Sequence, residues 1–300
     1  MHAWLRCGPR LGRSGERSVK TRLTADDGTG TVLANGPRAV TSVPTDLRLG
    51  RALVAIVRVA WRRQVRSVQT LVALGLVALL LLFVGIQSLW GWPAWAFGRG
   101  LIAGTYFGFV VPILGLCLGT QLVGDEWEEG SLLWLLSRPV PRWAIYLAKY
   151  LAALPWALAI TLGGLLGMGW LGDRTTWSIA LAAWPGVVSA TVAYLALFAC
   201  LGVTFRRSTI IGVTYALVIE STVGSMPGLM KRASISFYAR CLFYDVARAA
   251  GLDRLGIAPD KESFFRPVSG EIAIAVLALA TAVLILLGIL IFSRRQYVAN

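Results

Sequence analysis

Residues 124–149 read GDEWEEGSLLWLLSRPVPRWAIYLAK and separate two long hydrophobic segments of the chain. The stretch begins with acids, continues through a short apolar run and contains an Arg-Pro-Val-Pro-Arg turn. Apolar runs long enough to span a bilayer, on the order of 20 residues, flank it on both sides. We therefore predict that this segment lies at a membrane surface.

The composition is that of a membrane protein. The chain has 300 residues, of which 56% are hydrophobic and 15% charged, and its mean hydropathy is +0.67. A soluble domain does not need several apolar runs of spanning length. The 12 Trp residues agree with this class, because indole rings settle at the headgroup level of bilayers. We predict an all-α polytopic membrane protein surrounded by lipid.

The formal net charge of +14 suggests a nucleic-acid partner at first sight. The basic residues, however, lie mostly in the N-terminal region and in short loops beside the apolar runs. Membrane proteins with basic cytoplasmic loops have this distribution, whereas nucleic-acid-binding proteins do not. We therefore expect no nucleic-acid partner.

The chain offers few groups for a metal site or for acid–base catalysis. Its 4 cysteines have no metal-like spacing, and its single histidine, His2, lies in the N-terminal tail. Most catalytic triads and most zinc or haem sites need histidine. We predict no metal site, no catalytic residue and no cofactor bound by this chain.

Composition and periodicity divide the chain into three regions. Residues 1–45 lack sustained periodicity and are predicted to be a disordered basic tail. Residues 46–67 place arginines along one helical stripe opposite an apolar face, which predicts an amphipathic interfacial helix. That helix is either a juxtamembrane anchor or a more specific elbow. Residues 68–295 form the predicted transmembrane domain.

Six spanning helices are predicted from the apolar runs. Their approximate bounds are 68–90, 101–123, 144–171, 177–203, 208–223 and 272–292. The fifth is short, and the sequence leaves open whether it crosses fully or turns back and re-enters. Residues 224–270 beyond it are mixed in character.

Lys and Arg in the short loops predict the orientation, because cytoplasmic loops carry an excess of them. The N-terminal region, the loop of Arg138 and Arg142, the Arg206–Arg207 pair and the C-terminal arginines form one set. The loops at 90–100 and 172–176 form the opposite, poorly basic set. We expect the chain to lie in the cell (inner) membrane with both termini in the cytoplasm. Residues 224–270 would then lie outside.

The second predicted span contains four glycines spaced four, seven and four residues apart. Small residues at such spacings let helices approach closely in lipid. We predict a helix-packing face formed by Gly104, Gly108, Gly115 and Gly119. Three spans also contain a proline, which permits a kink where neighbours satisfy the freed carbonyl.

The 124–149 segment is best interpreted as a docking element. Its acids precede Ser131, which can start a helix, and the residue before Pro139 disfavours helix continuation. The apolar run between these residues is too short to span and too hydrophobic to stay exposed. It is either a short helix that docks on a cytoplasmic protein or a re-entrant or interfacial linker with solubilising acids.

At these residues the sequence resembles the permeases of the ABC-2 family, the six-helix membrane subunits of ATP-binding-cassette transporters. The motif is Glu128-Glu129-Gly130-Ser131-Leu132, followed by a leucine-rich helix and an Arg-Pro-Val-Pro-Arg turn. A second match is Glu220-Ser221 and Met226-Pro227-Gly228-Leu229 before Ser234-Ile235-Ser236-Phe237-Tyr238. The resemblance covers roughly residues 50–295 by the number and order of spans.

This resemblance implies a coupling helix over residues 126–136 that contacts a separate ATPase subunit. It also implies a second permease copy, identical or homologous, export as the usual direction, and an external gate closed by the segment after the fifth span. The implied docking residues are Asp125, Glu126, Glu129, Gly130, Ser131, Leu133, Leu136, Arg138, Pro139 and Arg142. The implied gate or pathway residues are Glu220, Pro227 and Gly228.

Glu220 is the one acid well inside an apolar run. A charge at that depth is costly, so such residues usually face the bundle interior or a wet cavity. The sequence leaves open whether Glu220 marks a transport pathway, is paired with a neighbouring helix, or is hydrated near the outer interface.

The sequence contains no Gly-x-x-x-x-Gly-Lys-Ser/Thr motif, so this chain does not bind nucleotide through a P-loop. We therefore expect ATP and Mg²⁺ on the partner subunit and no enzyme activity in this chain. The alternatives are an intramembrane enzyme, which needs a placed nucleophile and base, and a stand-alone secondary transporter or scaffold. The sequence does not identify the transported substrate.

Overall fold

The structure is a computed structural model that describes residues 57–91, 93, 95–122, 141–205, 207–220, 230–257 and 268–294. All of them belong to one of two compact units of the chain, residues 43–300. The predicted disordered tail, 1–45, and the first part of the predicted interfacial helix, 46–56, lie outside the described residues. So do most of the predicted docking segment and both Pro227 and Gly228.

The described residues are mostly helical and contain no strand, which confirms the all-α prediction. We number eight helices in chain order. They are α1 (57–66), α2 (Val68–Leu89), α3 (Ala96–Gly119), α4 (Arg142–Leu171), α5 (Arg174–Thr204), α6 (Ser208–Thr214), α7 (Ile235–Ala249) and α8 (Gly270–Arg294). A π-helical stretch, Tyr215–Glu220, continues α6, and a short 3-10 helix, Met230–Ala233, precedes α7.

Five helices, α2, α3, α4, α5 and α8, are long and apolar enough to cross a membrane. The predicted fifth span is not among them. Helix α6 and its π-helical continuation together reach from residue 208 to residue 220. At 1.5 Å per residue they measure about 20 Å, less than the roughly 30 Å hydrocarbon core of a bilayer. The described part of the fifth segment therefore ends inside the bundle.

Local sequence explains where several helices begin. The hydroxyl of Ser67 accepts from the amide of Thr70 at 3.1 Å and caps α2. Asp173 does the same for α5, accepting from the amide of Thr176 at 2.9 Å. Pro155 and Pro185 lie within continuous helices, so neither proline ends its span. Satisfying the free amides of the first turn stabilises a helix by about 1 kcal/mol.

Helix α5 is the centre of the bundle and packs against α3, α4, α7 and α8. Its aromatic residues Tyr194 and Phe198 are fully buried. Two polar contacts join α5 to α4: the hydroxyls of Thr161 and Thr191 lie 3.1 Å apart, and the hydroxyl of Tyr150 donates to the carbonyl of Val192 at 3.0 Å. Each such contact between membrane helices contributes about 0.6 kcal/mol.

By contrast, α2 and α8 lie at the periphery. They expose many leucines, and Leu279 of α8 is 67% exposed. Helices of a soluble bundle bury such residues, whereas a membrane bundle leaves them to the lipid, because lipid chains are as apolar as leucine.

Successive connections lie at alternate ends of the bundle. At one end, which we call the Lys149 end, the carbonyls of Leu122 and Ser293 accept from Lys149 and Arg142 at 3.2 and 3.4 Å. At the other end, which we call the Gly172 end, the buried Ile257 packs on Gly98 near the start of α3. This placement agrees with the predicted alternation of loops. The assignment of the Lys149 end to the cytoplasm stays a prediction.

Helix α1 is present in the described residues 57–66, where Arg58, Arg62 and Arg66 are exposed. Trp61 packs edge-on against Trp156 of α4, with ring centroids 6.0 Å apart. The amide of Gln64 donates to the carbonyl of Leu118 at 3.1 Å. This helix is therefore joined to α3 and α4 on the Lys149 side, and the interfacial role of residues 46–67 as a whole stays a prediction.

The predicted glycine face of α3 is divided by a change in helix type. Residues Ala96–Val110 are π-helical and Val111–Gly119 are α-helical, with Pro112 just after the junction. Gly115 and Gly119 contact α5: a Cβ atom at either position would lie 2.7 Å from the Cβ of Tyr194 or Phe198. Gly104 departs from the stripe and is exposed, because the wider π-turn with its i→i+5 hydrogen bonds shifts the register of the face.

Gly115→Ala is expected to destabilise the bundle although alanine favours helix by about 1 kcal/mol over glycine. The added methyl group would lie too close to the Cβ atom of Tyr194, and overpacking of this kind costs about 1–3 kcal/mol. The matched control is Gly104→Ala on the same helix. The measurement is the apparent melting temperature of the purified protein in detergent. Equal melting temperatures of the two variants would contradict the close approach of α3 and α5.

Candidate functional site

The inner end of α7 is held by the carboxylate of Glu220. Its Oε1 accepts from the amide of Ile235 at 3.1 Å and from the hydroxyl of Tyr215 at 3.3 Å. Its Oε2 accepts from the hydroxyl of Ser234 at 2.5 Å and from the amide of Ser236 at 3.3 Å. The side chain is completely buried, and its two oxygens together accept from four donors. Glu220 therefore fixes the start of α7 to the end of the fifth segment.

The chemistry of a helix terminus explains this arrangement. The first amides of a helix have no intrahelical acceptor, and the peptide dipoles place partial positive charge there. A carboxylate at that position satisfies the amides and is stabilised by the dipole, typically by about 0.3–1 kcal/mol and more in buried geometries. Ser234 and Ser236, whose hydroxyls lie 2.8 Å apart, complete a closed polar cluster in an otherwise apolar bundle.

This cluster lies deep in the bundle. Near the C-terminal part of α7, the carboxylate of Asp245 accepts from the amide of Gly270, the first residue of α8. Ile235 precedes Asp245 by ten residues of helix, or about 15 Å along the axis of α7. The carbonyl of Ala239 between them lies 2.8 Å from where a Cβ on Gly186 of α5 would be, so α5 and α7 make close backbone contact.

Arg240, one helical turn beyond Ser236, is a cation inside the same bundle. Its Nε is buried and has no hydrogen-bond partner among the described residues. Its Nη2 lies over α3, 2.8 Å from where a Cβ on Gly108 would be. The ion pair on α7 uses a different arginine: Arg248 lies 3.6 Å from Asp245, and its side chain is 54% exposed.

The charge of Arg240 acts on two tyrosine hydroxyls. Tyr194 of α5 interacts electrostatically with both Glu220 and Arg240, so the three groups share one neighbourhood. Tyr244, one turn further along α7, interacts with Arg240 and with Arg99 of α3. A charged arginine at the centre of a membrane helix costs about 2.5–3.5 kcal/mol, so this residue needs an anion or water beside it.

An open cleft of about 380 Å³ lies at the Gly172 end, between the ends of α2, α3, α4 and α5. Its polar lining includes Gln87, Ser88 and Asp173. The Oδ1 of Asp173 already accepts from the amide of Thr176. The cleft therefore offers a carboxylate engaged in helix capping and no cluster of convergent charges.

The described residues contain no group of three or more His, Cys, Asp and Glu side chains that could hold a metal ion. Residues 99–297 match the model of a family described as ABC-2 family transporter protein. The match covers about two thirds of the chain and includes α4 to α8 completely. The chain belongs to this family. No curated protein gives a significant match to it.

An ABC-2 permease is a membrane transport subunit, and such permeases generally work with an ABC ATPase. This multi-pass membrane protein, with its apolar spanning helices, fits that description. The site residues predicted from the sequence fall into three groups in the structure.

The first group is the docking segment. The residues predicted to bind the ATPase, from Asp125 to Pro139, lie outside the described residues. Arg142 is described and donates to the carbonyl of Ser293 at 3.4 Å, which joins the start of α4 to the end of α8. Lys149 is buried and donates to Leu122, so it satisfies a carbonyl at the end of the second span.

The second group is the predicted gate, of which only Glu220 is described. The sequence left a pathway, a paired and a hydrated interpretation open, and the structure shows Glu220 paired and without solvent contact. The third group, the glycines, is divided. Gly115 and Gly119 pack on α5, Gly108 lies under Arg240, and Gly104 is exposed.

Sequence reasoning missed Arg240, because residues 224–270 were interpreted as an outer loop of mixed character. A signal was available. Ser234 is a good helix N-cap residue, and Phe237, Cys241 and Tyr244 follow at helical spacing. This pattern predicts a helix with one buried face, on which an arginine at position 240 requires an explanation.

Glu220→Gln is expected to lower the apparent melting temperature of the permease. Glutamine replaces one acceptor oxygen with an NH₂ donor, which leaves a buried backbone amide without an acceptor. An unsatisfied buried donor costs about 1–3 kcal/mol.

The matched control is Glu271→Gln in the first turn of α8, where the side chain is exposed. We expect a change within about 0.5 kcal/mol there, as is usual for surface substitutions. If Glu220→Gln were as stable as this control, Glu220 would not hold α7.

Proposed function

We propose that this chain is the membrane-spanning permease subunit of an ABC exporter, driven by a separate ATPase subunit that docks on the 124–149 segment. The observation that carries the proposal is the contact between Lys149 and Leu122. Lys149, on α4, is the last residue of this segment, and Leu122, at the end of the α3 span, lies two residues before its start. Their contact fixes both ends of the segment at one place.

Movement of the docking segment can reach the core from there. The contacts of Gly119 join the end of α3 to Phe198 and to the backbone of Ala199 on α5. The contact of Arg142 joins the start of α4 to α8. Packed helices move as units between discrete arrangements, so force on the docking segment would shift α3 and α4 relative to the central α5.

A separate ATPase is part of the proposal because the chain has no P-loop. ATP and Mg²⁺ would bind the ATPase, and the acids Asp125, Glu126 and Glu129 would offer it charged contacts. Their placement next to the apolar residues of 132–136 gives the two ingredients of a docking surface, a hydrophobic centre and a polar rim.

The proposed complex lies in the cell (inner) membrane and contains a second permease copy, identical or homologous. Both termini of the chain would be cytoplasmic, because the arginine-rich segments and the Lys149 end carry the excess of basic residues. Export is the direction that the family resemblance favours.

Charge reversal tests the docking surface. The double variant Glu126→Lys, Glu129→Lys is expected to lose an ATPase that co-purifies with the affinity-tagged permease from membranes of its native host. Like charges across an interface cost several kcal/mol, so the loss is expected to exceed about tenfold. The ATPase is identified by mass spectrometry through its P-loop, and its ATP hydrolysis is measured in the purified complex.

The control is Glu271→Lys, a reversal at an exposed position of the Gly172 end. It should retain the ATPase in the same ratio as the unmodified chain, and all variants should elute as single peaks in size-exclusion chromatography. Full retention of the ATPase by the double variant would refute the docking role of the 124–149 segment. An unmodified permease that purifies without any ATPase would refute the proposed complex.

A further inference from the structure

We propose that Arg240 binds the phosphate of an anionic amphiphile inside the bundle, between α3 and α7. This proposal names a substrate class for the transporter and so rests on the proposed function. It assigns a ligand to a residue in the segment after Glu220 that the docking and gating roles do not use.

The carboxylate of Glu220 and the guanidinium of Arg240 differ in their ability to bind a ligand. Glu220 accepts from four donors and is completely buried, so it has neither an unused oxygen nor access to a ligand. Arg240 is half-buried, its Nε has no hydrogen-bond partner among the described residues, and its guanidinium lies against a glycine. The group of this cluster that is able to accept a ligand is therefore a cation.

The contact between Arg240 and Gly108 lies deep in the helix bundle. Gly108 lies 12 residues after Ala96, the first residue of α3. At 1.5 Å per residue this is about 18 Å from the Gly172 end, near the middle of a hydrocarbon core roughly 30 Å thick. Ionisable residues at such depth are rare, and they often mark ligand or ion pathways.

Both helices that meet at Arg240 carry an aromatic residue close by in sequence. Phe107, next to Gly108 on α3, and Phe243, three residues after Arg240 on α7, pack with ring centroids 6.1 Å apart. Toward the Gly172 end, Arg99 of α3 is exposed and, like Arg240, interacts electrostatically with Tyr244 of α7. A ligand here would meet one cation at mid-depth, the aromatic residues of α3 and α7, and a second cation nearer the Gly172 end.

This order of groups fits an amphiphile with a phosphate head. A planar guanidinium donates two parallel hydrogen bonds to a phosphate, and such charge-assisted pairs are the strongest hydrogen bonds in proteins. The alkyl chain would contact the aromatic rings or the lipid, at little cost in desolvation. Arg99 would attract the same head group as it moves outward.

Binding is tested on the full-length permease alone, purified in dodecyl maltoside, which carries no phosphate. The probe is dodecyl phosphate, titrated and followed by microscale thermophoresis or native mass spectrometry. We expect saturable binding that falls about ten- to hundredfold in Arg240→Gln, the range set by loss of a charge-assisted contact. Arg240→Lys should retain part of the affinity, because lysine keeps the positive charge but cannot donate two parallel hydrogen bonds to one phosphate.

Matched controls separate this site from general partitioning. Arg248→Gln removes an arginine from the same helix at an exposed position and should leave the affinity unchanged. Dodecyltrimethylammonium, a cation with the same chain, should show no dependence on Arg240. Inorganic phosphate should compete weakly, because it lacks the chain.

Three outcomes would overturn the proposal. The first is equal affinity of the unmodified chain and Arg240→Gln for dodecyl phosphate. The second is a changed oligomeric state in Arg240→Gln with unchanged affinity, which would assign the residue to a subunit contact. The third is competition by inorganic phosphate as strong as that by dodecyl phosphate, which would make the ligand a free anion. Because no ATPase is present in this assay, its result is independent of the docking experiment.

Discussion

The carboxylate of Glu220 at the start of α7 is the interaction on which the interior of this permease depends. A helix that begins inside an apolar bundle exposes unsatisfied amides where no water can serve them. Glu220 accepts from two of these amides and from two hydroxyls. The charge in turn is stabilised by the dipole of the helix that it caps. A buried carboxylate and unsatisfied amides are each unfavourable alone at this depth. Paired, they allow the 15-residue helix α7 to pack among spanning helices.

The position of Arg240 follows from that constraint. With its first turn fixed at Glu220, α7 runs toward the Gly172 end, beside α5 at Gly186 and beside α3 at Gly108. Arg240 lies about one turn from the fixed end, with its Nε buried and its Nη2 over Gly108 of α3. The phosphate site that we propose depends on this placement. At the Lys149 end, the contact of Lys149 with Leu122 joins the ends of the spans that flank the docking segment. The docking segment and the phosphate site that we propose both adjoin α3, which packs against the central α5.

Much of the fold could be predicted from the sequence, because hydropathy alone determines which runs span a bilayer. The five long spans and the alternation of their loops needed no tertiary information. Glu220 was identifiable as an acid inside an apolar run, but three of its four donors come 14 to 16 residues later and depend on how the chain folds back. The predicted glycine face does not include Gly104 in the structure. The prediction assumed α-helical spacing, whereas the first part of α3 is π-helical. Arg240 was missed because residues 224–270 were interpreted as an outer loop, although the helical spacing of Phe237, Cys241 and Tyr244 indicates a buried face.

Hydrogen exchange of α7 tests the central claim most directly. In the unmodified permease, followed by mass spectrometry, the amides of Ile235 and Ser236 should exchange as slowly as those in the middle of α7. Slow exchange at a helix start requires an acceptor other than water, and the account names the Glu220 carboxylate. Exchange of these two amides within seconds, as at a frayed terminus, would contradict the placement of the inner end of α7 inside the bundle.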